Sequence, residues 1–189
     1  MQQNNYEKLL TTKNTILCAL FVALTAIGAF IRIPVPVCPF TLQLLFTTLA
    51  GLLLGSRLGG LSVLIYIVIG LLGVPIFTEG GGPAYIFQPT FGYLLGFAAG
   101  AFIAGKLTEN KFQLTITYLF IVNFINLLIV YAFGMIYVYI INNFYLDTPI
   151  GIWPLFLYCF LLAVPGDIAL CIIAAVIGKK LLPLLRRYK

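Results

Sequence analysis

Long apolar runs that contain almost no charge constrain the fold of this chain more than any other feature. Hydrophobic residues make up 62% of the 189 residues and charged residues only 8%, whereas soluble domains carry about 25% charged residues. A transmembrane helix needs about 20 apolar residues, so the chain has room for about six spans and for no separate aqueous domain. We therefore predict an integral membrane protein that forms one domain over residues 1–189.

The breaks between the apolar runs place the predicted helices. Charges, prolines and glycines gather at these breaks, which gives helices at about 15–32, 41–55, 59–77, 90–105, 113–142 and 154–182. The second is short for a full span, and the last is expected to bend near Val164, Pro165 and Gly166, because proline removes an intrahelical hydrogen bond. The first run follows Lys13 and resembles a signal peptide, but the spans that follow favour an uncleaved helix. The predicted fold class is an all-α bundle of about six transmembrane helices.

The basic residues orient this bundle in the membrane. If the N-terminus lies inside the cell, the outer side holds only Arg32. The cytoplasmic segments then hold all the others, namely Lys8, Lys13, Arg57, Lys106, Lys111, Lys179, Lys180, Arg186, Arg187 and Lys189. This asymmetry follows the positive-inside rule, so both termini are predicted to be cytoplasmic. The net charge of +6 is then explained by the orientation of the chain in the membrane. The basic C-terminal tail is expected to attract anionic lipid headgroups rather than to bind nucleic acid.

The two segments expected outside the cell differ from the inner ones. Residues 78–90 read TEGGGPAYIFQPT, a composition that suits a backbone folding tightly around a ligand. Residues 143–154 bring Asp147, Trp153 and further aromatic residues, for which an interfacial aromatic belt is the simpler explanation. Residues 80–93 are therefore the stronger candidates for a binding role.

Several kinds of chemistry are excluded by the residues that the chain lacks. It has no histidine, which removes Ser-His and Cys-His catalysis and histidine metal sites. No phosphate-binding loop of the GxxxxGKS or GxxxxGKT type is present, so ATP is not hydrolysed by that mechanism. The four cysteines are widely spaced, with no CxxC pair to indicate redox or zinc chemistry. We predict that the protein is not an enzyme and carries neither a metal nor a cofactor.

Asp167 is the one carboxylate inside the apolar runs. An aspartate near the bilayer centre costs about 2.5–3.5 kcal/mol, so its presence requires a partner or a function. One interpretation is a binding site, in which the carboxylate accepts hydrogen bonds from the N–H groups of a ligand. The other is a structural cap on the inner half of a helix broken at Pro165 and Gly166, since aspartate is a good N-cap. The two roles are compatible.

Small residues on the first helix mark a second candidate surface. Ala19 and Ala23 are spaced as in the small-xxx-small pattern, which lets another helix approach closely. By this pattern alone, packing inside the bundle is the commoner explanation.

Three stretches together resemble one family. They are PVPVCPFTLQLLFTTLAGLLLGSRLGGLSVLIYIVIGLLGVPIF (34–77), EGGGPAYIFQPTFGYLLGF (79–97) and VPGD (164–167). In this order they look like the biotin-binding S-components of energy-coupling-factor (ECF) transporters, the BioY family. The resemblance implies a six-helix subunit of the bacterial cytoplasmic membrane that captures a vitamin from outside. It also implies partners, namely a transmembrane coupling protein and two ATPase subunits.

The resemblance assigns roles to particular residues. It implies that Ala19 and Ala23 contact the coupling protein and that Asp167 binds biotin, whose ureido ring offers two N–H donors. The candidate ligand-binding set comprises Asp167, Gln43, Gly81, Gly82, Gln88, Phe91, Tyr93 and Arg32.

The chain departs from the family pattern at three positions. Leu170 stands where the family commonly reads PGD-x-x-K, and Gln88 and Phe91 stand at glycine positions of GPTGGY. Arg32, Gln43 and Gln88 are candidate donors in place of the lysine. Biotin is the leading ligand, and another small vitamin or a biotin precursor is the alternative.

Two functions of other classes fit the same residues. The first is a self-sufficient carrier with Asp167 as its proton site, which would work without an ATPase. The second is a structural assembly protein with Asp167 as a cap, which would bind no small molecule tightly.

Overall fold

The computed structural model describes residues 11–33, 39–111 and 114–187, except for the side chains of Arg186 and Arg187. Lys8 and Lys189, and those two side chains, therefore lie outside the described residues. The helices are α1 Thr12–Phe30, α2 Gln43–Leu54, α3 Ser56–Leu71, α4 Phe91–Glu109, α5 Ile116–Phe144, α6 Ile152–Phe156 and α7 Val164–Arg187. A 3₁₀ helix at Pro83–Phe87 and a π-helical turn at Leu157–Leu161 complete the helical elements.

The helices confirm the predicted all-α membrane class. Four helical segments are long and apolar enough to cross a membrane, namely Thr12–Phe30, Phe91–Glu109, Ile116–Phe144 and Ile152–Leu185, the last of which combines α6, the π-helical turn and α7. The apolar helices α2 and α3 are shorter, with 12 and 16 residues, as expected for the second helix. A two-residue antiparallel hairpin, β1 Arg32–Ile33 with β2 Phe40–Thr41, joins α1 to α2.

The predicted end of the third helix at residue 77 is wrong, because α3 ends at Leu71. Gly73 has a φ of 107°, a left-handed conformation that glycine adopts without a steric penalty. Pro75 then lacks the backbone N–H that a continuing helix would need. Residues 72–77 instead form a turn that brings the glycine-rich segment back against the bundle, where the Gly82 N–H donates to the Gly70 carbonyl at 2.7 Å.

The last helix is interrupted, as predicted, and the break lies two residues before Val164. The π-helical turn ends at Leu161, residues 162–163 form a turn, and α7 begins at Val164. Pro165 has no N–H to donate to the carbonyl of Leu161, so the α-helical ladder cannot pass through this point. The consequence is that Asp167 lies in the first turn of a new helix.

The helices pack closely around α4, which contacts α2, α3 and α5, while α7 packs against α5 and α2. Glycines make the closest approaches possible: a Cβ atom on Gly59 would lie 2.6 Å from the Cα atom of Gly51, so α2 and α3 meet backbone to backbone. Two buried apolar clusters result. One includes Tyr66, Phe77 and Tyr131, at the end that carries the hairpin, and the other includes Leu49 and Leu182.

Basic residues surround the second end of the bundle. Here Arg57 lies at the start of α3, Lys106 lies in the last turn of α4, and the Lys179 ammonium donates to the Leu114 carbonyl at 2.5 Å. The Lys111 ammonium lies 4.6 Å from the centre of the Tyr118 ring. We call this the basic end, and the opposite end, with the hairpin, the hairpin end.

Replacing Glu109 with alanine is expected to lower stability. Its Oε1 atom accepts hydrogen bonds from the Ser56 backbone N–H at 2.6 Å and the Ser56 hydroxyl at 2.8 Å, so it caps α3 from the end of α4. Loss of such a cap lowers the free energy of unfolding by about 1 kcal/mol. This corresponds to a melting temperature lower by about 2–4 °C. Thermal unfolding in detergent measures this shift. Equal melting temperatures for Glu109→Ala and the exposed-loop control Glu79→Ala would contradict it.

Candidate functional site

A cavity of about 580 Å³, including its open mouth, lies at the hairpin end. Its wall comes from the hairpin, α2, α4, α5 and the start of α7, and consists of Pro39, Phe40, Thr41, Gln43, Leu44, Thr78, Tyr85, Thr90, Tyr93, Leu94, Phe97, Leu127, Val130, Tyr131, Ala163 and Asp167. Among these described residues there is a single carboxylate and no lysine or arginine.

Asp167 supplies the charged group of this cavity. The side chain is only 8% exposed, and its Oδ2 atom accepts a hydrogen bond from the Tyr131 hydroxyl of α5. Within the described chain the carboxylate accepts no bond from a backbone N–H at the start of α7. It is therefore directed toward α5 and the cavity, and it does not cap the helix. Because a buried carboxylate is costly unless it is hydrogen-bonded, the unused acceptor positions favour a ligand that brings N–H donors.

Aromatic rings hold Tyr131 in place. Tyr93 of α4 meets it edge to face with ring centres 6.0 Å apart, and Phe160 of the π-helical turn does so at 5.1 Å. The Tyr93 hydroxyl in turn donates to the Cys159 carbonyl at 3.3 Å. The irregular turn before α7 thus contributes directly to the position of the hydroxyl that binds Asp167, in keeping with the frequent occurrence of π turns at functional sites.

A hydrogen-bonded network centred on Gln43 forms another part of the wall. The Gln43 amide donates to the Tyr66 hydroxyl at 2.9 Å, and Tyr66 donates to the Ile76 carbonyl at 2.9 Å. The Gln43 Oε1 atom accepts from the hydroxyls of Thr41 at 3.3 Å and Thr78 at 3.5 Å. This network ties α2 to α3, to the hairpin and to the segment after α3, and it gives the cavity polar groups without adding charge.

Arg32 joins the same segments at the rim. Its backbone pairs with Thr41 in the hairpin, and its Nη1 atom donates to the Thr78 carbonyl at 2.7 Å. Both threonines line the cavity, while the Arg32 side chain is exposed. Below Thr78, Phe77 and Tyr85 pack with ring centres 4.5 Å apart, which holds the 3₁₀ helix against the core.

Comparison with known proteins identifies the family. Residues 1–187 match the sequence model of the BioY family. The chain belongs to the BioY family. The chain is similar to the probable biotin transporter BioY of Lysinibacillus sphaericus, with 43% identity over 176 residues, 93% of this chain and 90% of the relative. The biotin transporter BioY of Rhizobium etli is 30% identical over 182 residues, 90% of this chain and 93% of the relative.

A solved structure resembles the fold of this BioY-family member. It is the crystal structure of the S-component for biotin from an ECF-type ABC transporter, which matches with a TM-score of 0.74 and 29% identity. The match covers 94% of this chain and 93% of the other. The predicted family and the predicted multi-pass membrane bundle are therefore confirmed.

Three of the eight predicted ligand-binding residues line the cavity, namely Asp167, Gln43 and Tyr93. The other five, Arg32, Gly81, Gly82, Gln88 and Phe91, do not belong to its described lining. The Gln88 N–H donates to the Tyr85 carbonyl at 3.0 Å and ends the 3₁₀ helix. Phe91 is buried, with its ring centre 5.8 Å from that of Tyr137. For each of these five residues a contact with ligand stays a prediction.

Leu170, which replaces the family lysine, is only 6% exposed and belongs to the apolar cluster at the hairpin end. It does not occur in the described lining of the cavity. Leu170 therefore packs in the apolar core. The side chain that donates a hydrogen bond to Asp167 is Tyr131 of α5 instead.

Sequence reasoning missed Tyr131. It lies inside the predicted helix 113–142, where an isolated tyrosine gives no periodic signal that separates a pocket from a core or an interfacial position. The resemblance is also weakest over 107–150, so no motif drew attention to it. The usable signal was its hydroxyl, because a buried tyrosine hydroxyl usually needs a hydrogen-bond partner, and Asp167 is the one carboxylate within the apolar runs.

Proposed function

We propose that this chain is the substrate-binding subunit of an ATP-driven ECF uptake transporter and that it captures biotin from outside the cell. The observation that carries the proposal is the buried carboxylate of Asp167, held by Tyr131 inside an aromatic-walled cavity, in a member of a family whose relatives are named as biotin transporters. Residues 1–189 then form one membrane-embedded binding domain.

The chemistry of biotin matches the two polar parts of this wall. Its ureido group carries two N–H donors, which suit the free acceptor positions of Asp167. The ureido oxygen is an acceptor, and the Gln43 amide, which donates one N–H to Tyr66, has a second N–H that can donate to it. The fused rings and the aliphatic chain suit the faces of Phe40, Tyr93 and Phe97, since small-molecule sites are mostly apolar with a few placed polar groups.

The charge distribution supports the orientation in the membrane. Described lysines and arginines other than Arg32 lie toward the basic end or in α1 near its start, as the positive-inside rule requires of the cytoplasmic side. The hairpin end, with the mouth of the cavity, then faces outward, and both termini are cytoplasmic. A receptor for an external vitamin needs this orientation.

A partner surface lies on α1. Ala19 and Ala23 are exposed, whereas Cys18, Phe21 and Thr25 of the same helix are buried in the bundle. The small residues therefore do not serve packing within the described chain. They are small beside larger exposed side chains such as Leu20, and we assign this face of α1 to the transmembrane coupling protein, which connects the subunit to two ATPases.

Equilibrium binding of radiolabelled biotin to the purified protein in detergent tests the ligand. We expect saturable binding with one site per chain, displaced by unlabelled biotin and not by riboflavin, which lacks the fused ureido and thioether rings of biotin. If desthiobiotin, a precursor of biotin, displaced the label more strongly than biotin does, the precursor would be assigned as the ligand. Absence of saturable binding in a protein that is folded and monodisperse would refute the receptor function.

Uptake in cells tests the energy source. Cells that express this chain with a coupling protein and both ATPases are expected to accumulate biotin, because the chain has no phosphate-binding loop of its own. The control is the same set of proteins with an ATPase variant that cannot hydrolyse ATP. Accumulation that persists with this variant and stops when the proton gradient is collapsed would instead support the self-sufficient carrier.

A further inference from the structure

The described part of the chain is strongly asymmetric in its positive charge. Arg32 is the one lysine or arginine at the hairpin end, and the cavity wall itself has none. Inside the cavity the carboxylate of a ligand would meet Asp167 and no lysine or arginine, whereas Arg32 supplies a positive charge at the rim, where Glu79 follows Thr78 in the chain. Two carboxylates in a shared apolar site repel each other, and an unpaired buried charge is costly. The acid group of such a ligand is excluded from the interior.

Arg32 is placed to receive that acid group. Its Nη1 atom donates to the Thr78 carbonyl at 2.7 Å, which fixes one edge of the guanidinium beside a residue of the cavity wall. A guanidinium has five N–H donors in a planar fork, so further donors are available on the exposed side. The backbone pairing of Arg32 with Thr41 holds the base of the side chain at the same rim.

We infer that Arg32 binds the carboxylate of the ligand at the mouth and thereby sets the direction in which the ligand enters. This inference rests on the proposed function. The ureido ring lies inside, against Asp167 and Tyr131, and the aliphatic chain runs outward to the guanidinium. Arg32 is then a specificity-determining residue, which makes the site distinguish the free acid from its neutral amide.

A thermodynamic cycle with two ligands and two proteins tests the inference. Biotin and biotinamide share the ring and the chain and differ in the charge of the terminal group. Wild type is expected to bind biotin about tenfold more tightly than biotinamide, since a charge-assisted hydrogen bond at a partly exposed site contributes on this order. Arg32→Gln is expected to lower the affinity for biotin about tenfold and to leave the affinity for biotinamide within about twofold of the wild-type value.

Two further variants separate ligand contact from support of the rim. Arg32→Lys keeps the charge but loses the planar fork, so it should retain part of the preference for the acid. Arg57→Gln removes an exposed arginine at the basic end and should change neither affinity. The preference of wild type for biotin should also fall as salt is raised, because exposed charges are screened.

The outcomes separate this inference from the proposed function. If wild type binds neither ligand, the receptor function fails. If wild type binds biotin and biotinamide with equal affinity, or if Arg32→Gln lowers both affinities by the same factor, biotin is still the ligand but Arg32 does not bind its carboxylate. Only loss of the acid preference in Arg32→Gln, with biotinamide affinity retained, supports the inference.

Discussion

Asp167→Asn is expected to weaken biotin binding by about 100-fold while the protein stays folded. The substitution keeps the size of the side chain but removes the charge and replaces one acceptor by a donor that faces the ureido N–H groups. Hydrogen bonds to charged groups contribute about 1.5–3 kcal/mol, and each 1.4 kcal/mol is tenfold in affinity. Titration of the purified variant with radiolabelled biotin measures the loss.

Asp147→Asn is the matched control for this variant. Asp147 lies in the exposed segment between α5 and α6 with a φ of 49°, a conformation that asparagine also tolerates. It should bind biotin as wild type does. Tyr131→Phe removes the hydroxyl that donates to Asp167 and should weaken binding by a smaller factor, about tenfold. Wild-type affinity in Asp167→Asn would exclude the carboxylate as a ligand group, and the proposed pose would have to be abandoned.

The double variant Ala19→Leu with Ala23→Leu is expected to abolish biotin uptake and to leave biotin binding unchanged. Both side chains are exposed on α1, away from the cavity, so enlarging them does not disturb the pocket. Overpacking costs about 1–3 kcal/mol per enlarged side chain, which for two positions weakens association with the coupling protein by about 100-fold. Uptake in cells and binding to the purified protein are measured in parallel.

Ala132→Leu provides the control for that experiment. Ala132 is an exposed alanine of α5, so it tests whether a larger side chain on any lipid-facing surface impairs uptake. It should transport at the wild-type rate. Co-purification with the coupling protein completes the test: an Ala19 and Ala23 double variant that still co-purifies and transports would show that this face of α1 is not the partner surface.

The sequence was sufficient to find the charged centre of the site but not its partner. Asp167 is conspicuous because a carboxylate in an apolar run is energetically costly, and the physics of insertion singles it out without a structure. Tyr131 carries no such penalty and is one of 11 tyrosines, so only the packing of α5 against α7 reveals that it meets Asp167. Gln43 was named as a donor, but its role as the centre of a network depends on contacts between α2, α3 and the hairpin.

The helix predictions show the same limit. The apolar runs and the breaks between them located the bundle, and Pro165 located the break before α7, because a missing N–H is a local property. The end of α3 was placed six residues too late, since the apolar run continues through Val74, Ile76 and Phe77 although the backbone turns at Gly73. Hydrophobicity does not locate the turn: within residues 72–77 only Phe77 is buried, and its ring packs against Tyr66 and Tyr85.

The close packing of the inner half of the bundle has a consequence for transport. Beneath the cavity, α2 and α3 meet at Gly51 and Gly59 with no room for a side chain, and the apolar cluster around Leu49 and Leu182 fills the space toward the basic end. In the described part of the chain the binding site is thus a cup with a solid base and not a conduit. While this packing is kept, a molecule in the cavity can leave only by the opening at the hairpin end, and delivery to the cell would then require that this opening be presented to the other side of the membrane.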